Sequence, residues 1–132
     1  MPKPALPLIA VVEDEEHLAQ GLIFNLEAEG YRAHHEADGN AALAWLLDAT
    51  APNAPDPPAA ILLDVMLPGR DGFSIVSALR EAGRYTPVLL LTAKVQSSDQ
   101  RRFADLGVES VLFKPFDPMT LAAQISSVLG WN

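Results

Sequence analysis

Three unbroken apolar runs constrain this chain most: Leu8 to Val12, Ile61 to Leu63 and Val88 to Leu91. Each is too short for a helix and ends abruptly in polar or turn-forming residues, the pattern of a strand buried on both faces. Val108 to Phe113 repeats it less purely, and Tyr31 to Glu36 reads as a fifth, weaker strand. With Arg32, His34 and His35, that strand is polar enough to sit at a sheet edge. Between the runs, apolar residues recur at helical spacing. Leu18, Leu22, Ile23 and Leu26 mark a helix over Glu15 to Glu29, stopped by Gly30. After a turn at Asp38-Gly39-Asn40, a second helix spans Ala41 to Leu47. Phe73, Ile75, Val76 and Leu79 share one face of a third between Gly72 and Gly83. A fourth, capped by Ser97 or Ser98, runs to Leu106, and a fifth, capped by Asp117, covers Met119 to Leu129. Continuous apolar strands alternating with helices imply a parallel sheet covered on both faces, wound with right-handed crossovers. The expected fold class is α/β, a single doubly wound (βα)5 unit.

Composition narrows the function classes. The 132 residues suit one domain, and 49% hydrophobic content rejects disorder. A formal net charge of −8 argues against direct nucleic-acid binding, which needs clustered Lys and Arg. Without cysteine there are no disulfides or thiolate metal sites. No stretch is long enough for a membrane span, and the proline-rich start lacks the form of a secretory signal. These features read as a cytoplasmic protein with a loose tail over residues 1–7 and one domain over 8–130. Thr50 to Pro58, TAPNAPDPP, can be neither helix nor central strand. It joins a helix to a strand, so it belongs at the amino ends of the strands and reads as a passive spacer.

Chemistry belongs at the other edge, because parallel strands bring all their carboxyl ends together. Those ends carry Glu13-Asp14, Asp64, Thr92 and Lys114. Neighbouring strands lie roughly 5 Å apart, so Asp14 and Asp64 converge if the first and third strands are adjacent. Clustered carboxylates repel anions but suit a hard divalent cation, and with such a cation a phosphoryl group can approach an aspartate nucleophile. Lys114 can balance one phosphoryl oxygen, and Thr92 can donate a hydrogen bond to another. Other polar residues have plainer roles. Glu15 and Glu16 favour the amino end of the first helix, and Asp71 caps the third. His17, His34 and His35 lack partners at metal spacing and read as structural or solvated. Trp45 and Trp131 read as packing residues.

The segments Val-Glu-Asp-Glu from Val12, Leu-Leu-Asp-Val-Met-Leu-Pro-Gly-Arg-Asp-Gly around Asp64, Leu-Thr-Ala at Thr92 and Phe-Lys-Pro-Phe at Lys114 stand in this order. Together, from Leu8 to about Leu129, they resemble the receiver domain of two-component response regulators. The resemblance implies the flavodoxin-like strand order 2-1-3-4-5. It implies that Asp64 is the phosphoacceptor, with Thr92 the switch hydroxyl and Lys114 the phosphate-pairing lysine. Mg2+ would be held by Asp14 and Asp64 and the backbone carbonyl of Met66, with Glu13 bridged through water. The Lys114–Pro115 bond would be cis, and Pro68 and Gly69 would shape the loop after the acceptor. The implied partner is a sensor histidine kinase or histidine phosphotransfer protein, with a downstream output domain or protein. Beyond its own phosphorylation and autodephosphorylation, such a domain is not an enzyme.

This chain departs from the pattern in three places. Val111 stands where the family has a switch aromatic, which would weaken the output swing or reroute it through another residue such as Phe113. The segment from Thr50 to Pro58 is longer than usual, and Glu13 replaces a more frequent Asp. Two rival readings differ in class. One is a phosphorylation-independent protein-binding module on the same fold. The other is a Mg2+-dependent phosphatase with an aspartyl nucleophile, which needs a second acid where Met66 stands.

Overall fold

The computed structural model describes residues 2, 5–93, 97–114 and 117–131, the side chains of 97–100, 103 and 118 excepted. Its strands are β1 (Leu8–Val12), β2 (Arg32–Glu36), β3 (Ala60–Asp64), β4 (Val88–Thr92) and β5 (Ser110–Phe113). Its helices are α1 (Glu16–Ala28), α2 (Gly39–Ala49), α3 (Gly72–Glu81), α4 (Ser97–Leu106) and α5 (Leu121–Val128). All strand pairs are parallel, in the order β2-β1-β3-β4-β5. The polar strand β2 is at an edge, as its composition requires.

Every residue of β3 and β4 is buried. Alternate side chains of a strand point to opposite faces, so these runs feed two separate cores. Ile61, Leu63, Val88 and Leu90 pack with Leu46 of α2 and Phe73, Ile75, Val76 and Leu79 of α3. Ile9, Val11, Leu62, Leu89 and Leu91 pack with Leu22 and Leu26 of α1 and Leu121 and Ile125 of α5. The four residues expected to share one face of α3 are all buried. Trp45 packs against the first core, and Trp131 stacks on Tyr31 beside the second.

Several boundaries differ from expectation. Asp38-Gly39-Asn40 is not a turn ahead of the second helix. The Asp38 carboxylate accepts from the Ala41 N–H and caps a helix that already includes Gly39 and Asn40. The fifth strand starts at Ser110 rather than Val108, because only from there does the chain lie in register with β4. The last helix starts later than Met119. A 3-10 turn at Pro118–Thr120 precedes α5, and Asp117 accepts from the Met119 N–H within that turn. Glu15 and Asp71 cap α1 and α3. The capping side chains expected at Ser97 or Ser98, and Pro115 with its bond, lie outside what is described.

The proline-rich loop runs along the amino edge of the sheet, where Arg32 forks onto Asp56 at 2.7 and 2.8 Å while its Nε donates to the Leu6 carbonyl. No helix among the described residues is long and apolar enough to cross a membrane.

Candidate functional site

At the opposite edge, β1 is flanked by β2 on one side and β3 on the other, so successive crossovers leave in opposite directions and open a crevice between the carboxyl ends of β1 and β3. Glu13 and Asp14 follow β1 directly, and Asp64 is the last residue of β3. Carboxylate oxygens of Glu13, Asp14 and Asp64 lie within 4.8 Å of one another. Lys114, the residue after β5, reaches across β4. Its Nζ donates to Glu13 Oε1 and Asp64 Oδ2, both at 2.8 Å. Thr92 ends β4, is buried, and its carbonyl accepts from the Lys114 N–H at 2.8 Å. The four segments picked out in the sequence thus meet at one place.

Two of the carboxylates are out of water: Glu13 is 0% exposed and Asp64 4%. Asp14 is exposed. Glu13 Oε2 also accepts from the Glu15 N–H at 3.2 Å. Burial pushes the Glu13 carboxyl up from its ordinary 4.5 to about 7. A hydrogen bond to Asp64 and the charge of Asp64 add to the rise, and Lys114 and the Glu15 N–H offset part of it. Burial also works against a charged Lys114, but its bonds to Asp64 and Glu13 prevail and hold the ammonium above its usual value. Among the described residues three carboxylates thus face one ammonium, which bonds two of them, leaving an excess of negative charge at a largely buried site.

Linkage gives this excess a sign. Glu13 binds a proton more tightly folded than unfolded, so its contribution is full below pH 4.5 and lost as pH rises through about 7. We expect the melting temperature of the metal-free protein to fall between pH 5 and 8, with a slope from one proton of at most about 1.4 kcal/mol per pH unit. Thermal melts in chelator should show that slope in the wild type and lose it in Glu13→Gln.

The backbone after Asp64 is tightly placed. The Met66 N–H donates to Asp64 Oδ1 at 2.9 Å, while the Met66 side chain is exposed. Gly72, the first residue of α3, donates to the Val65 carbonyl at 2.8 Å. A Cβ on Gly72 would stand 2.6 Å from the Asp64 carbonyl oxygen and 2.9 Å from Val65 Cα, so only glycine permits this approach. Val111 is partly buried against the core with α2 and α3, and Phe113, opposite Thr92 in register, is 46% exposed.

Sequence reasoning missed the contacts of three residues. His35 Nε2 lies 2.8 Å from the Glu13 carbonyl, so one of the scattered histidines touches the site's backbone. His34 stacks flat on Trp45 at 3.7 Å and pairs with Glu36 at 2.6 Å. The strand-facing periodicity of β2 carried no signal for either. The third is Gly72, whose position at a helix start beside a turn was visible but read only as a boundary.

The donor set tests well for a hard divalent cation. It offers only oxygens, carries surplus negative charge, and spans little more than the roughly 4.2 Å between opposite ligands of an octahedron with 2.1 Å bonds.

Comparison with known proteins agrees with this geometry. The family model described as the response regulator receiver domain matches residues 9–126. Transcriptional regulatory protein DltR of Streptococcus agalactiae is 37% identical over 117 residues, 89% of this chain and 49% of that protein. Transcriptional regulatory protein PcoR of Escherichia coli is 40% identical over 121 residues, 92% of this chain and 50% of that protein. The chain spans about half the length of these curated relatives. Among solved structures, the chemotaxis response regulator CheY4 of Vibrio cholerae superposes with a TM-score of 0.81 at 28% identity, covering 94% of this chain and 99% of that one. Strand order, the meeting of four segments at the carboxyl ends of the strands and the match over 9–126 all lead to one family: the chain belongs to the response regulator receiver domains of two-component signalling.

Proposed function

We propose that residues 8–130 form a phosphoacceptor receiver in a two-component or phosphorelay system. It takes a phosphoryl group from a phosphohistidine of a sensor histidine kinase or histidine phosphotransfer protein onto Asp64. The observation that carries this reading is Lys114 Nζ, held 2.8 Å from both Glu13 and Asp64 beside the exposed Asp14. Asp14 and Asp64, with the Met66 carbonyl, would hold Mg2+ directly, and Glu13 would do so through water. The bound ion offsets the negative charge that an incoming phosphoryl group meets.

In the transfer, the donor's P–N bond breaks as a carboxylate oxygen of Asp64 bonds to phosphorus. The Met66 N–H on one carboxylate oxygen and Lys114 on the other fix the orientation of the acceptor. Lys114 then balances charge on the phosphoryl group, and Thr92, at the end of the adjacent strand, donates its hydroxyl to a phosphoryl oxygen. In autodephosphorylation, water attacks phosphorus, the Asp64–phosphate bond breaks, and inorganic phosphate and the free carboxylate result. The domain catalyses no other reaction. Swinging its surface from 1:99 to 99:1 takes about 5.5 kcal/mol of differential stabilisation. Because Val111 has no ring to turn inward, the swing is weaker or takes another route. Phe113 would provide one, a reading supported by its exposure and its register opposite Thr92. The relatives' names as transcriptional regulators, and their doubled length, support a downstream output domain or protein that receives this change. We place its action in the cytoplasm, and the acidic charge supports the absence of direct nucleic-acid contact by this domain.

The test is incubation with Mg2+ and a small acyl phosphate, read by intact mass and peptide mapping. One added phosphoryl group on Asp64, dependent on the cation, is expected. No addition overturns the reading in favour of a phosphorylation-independent binding module. Rapid turnover of unrelated phosphoesters overturns it in favour of a phosphatase.

A further inference from the structure

Two triplets far apart in sequence, Asp38-Gly39-Asn40 and Pro68-Gly69-Arg70, meet in the fold. The first opens α2 and the second lies in the loop between Asp64 and α3. The Gly39 N–H donates to the Pro68 carbonyl at 2.9 Å, and Arg70 Nε donates to Asn40 Oδ1 at 3.3 Å. Gly69, with φ of +83°, lies so close to Asp38 that a Cβ would be 2.7 Å from the capping carboxylate. A Cβ on Gly39 would run into the backbone carbonyl of Arg70. The loop after the acceptor therefore rests on the bare amino end of α2, while Gly72 pins its far end against Asp64.

We propose that Gly39 is a positioning residue for phosphoryl transfer. Its missing side chain lets residues 68–70 settle on α2, and that seat fixes where the Met66 N–H meets Asp64. The inference rests on the reading of Asp64 as acceptor. It is independent of helix propensity, which alone favours alanine over glycine by about 1 kcal/mol in a helix interior. The clash is with backbone, which cannot swing aside as a side-chain tip can. The loop must move instead, and Met66 moves with it. Small displacements of a reacting group are costly, since misplacement by about 1 Å can cost on the order of a hundredfold in rate.

The test compares Gly39→Ala with Gly21→Ala on the full chain, Gly21 having open space around its Cα. Two quantities are read: the Met66 amide resonance, and the rate of labelling by acetyl phosphate at saturating Mg2+. Gly39→Ala is expected to shift the Met66 resonance and slow labelling on the order of tenfold, while Gly21→Ala changes neither. A folded Gly39→Ala with an unmoved resonance, or a rate within twofold of Gly21→Ala, overturns the proposal. Should Gly39→Ala fail to fold, Asn40→Ala decides, since it removes the Arg70 bond without adding an atom. A shifted resonance and a rate reduced about twofold or more support the seat, and wild-type values for either overturn it. If the wild type itself is never labelled, it is the reading of Asp64 as acceptor that fails, and the seat is judged by the Met66 resonance.

Discussion

Asp64→Asn is expected to abolish phosphoryl gain from acetyl phosphate and, in the same molecule, to raise the thermal stability of the metal-free protein at pH 8. The first effect is chemical: an amide oxygen does not carry the charge that makes the carboxylate a nucleophile. The second follows from the crowding of like charge. Asp64 is buried beside Glu13, Asp14 and the Lys114 ammonium, and its charge is one reason the Glu13 carboxyl is pushed up. Removing one carboxylate leaves Lys114 paired with Glu13 at 2.8 Å and relieves the repulsion. A gain of about 1 kcal/mol corresponds to a few degrees in melting temperature for a domain of this size. The gain should shrink at pH 5, where Glu13 in the wild type already holds a proton, and with saturating Mg2+. Calorimetry in chelator and in Mg2+ checks it. A variant no more stable than wild type at pH 8 would show that the carboxylates do not repel as their spacing implies.

Lys114→Met should do harm on both counts. Removing one partner of a buried pair leaves the other charges uncompensated, at about 3 kcal/mol where burial is complete. Lys114 keeps 23% side-chain exposure, so about 2 kcal/mol is expected. That loss should diminish toward pH 5 as Glu13 becomes protonated. Labelling should slow by a factor on the order of a hundred, the usual cost of losing one preorganised group facing developing negative charge. Mg2+ separates the two effects, because it should restore stability without restoring the rate. Stopped labelling time courses and urea melts on one preparation suffice. A rate within threefold of wild type would remove Lys114 from the chemistry.

How much of this was legible before the fold was known depends on the length scale of the signal. Leu8–Val12, Ile61–Leu63 and Val88–Leu91 announced buried strands because a strand covered on both faces has no polar position to spare. The expectation that Asp14 and Asp64 meet needed one further fact, that β1 and β3 are neighbours. No local pattern carries that fact, and only the resemblance supplied it. Boundaries failed where one chemistry serves two structures. Asp-Gly-Asn suits a turn and suits a helix start equally, and at 38–40 the helix start won because the Ala41 N–H needed an acceptor. Val108 is apolar, yet the chain there has not entered the ladder. The contacts of His35 with Glu13 and of Gly39 with Arg70 span more than twenty residues of sequence. They depend on the approach of backbones, which side-chain patterning does not encode.

The fork of Arg32 on Asp56 has a practical consequence. It moors the proline-rich loop to the amino edge of the sheet, a full strand length from the acidic crevice. A dye, an affinity handle or a whole fused module grafted between Ala51 and Ala54 would hang from the underside of the molecule. It would leave the crevice open to a partner approaching from above.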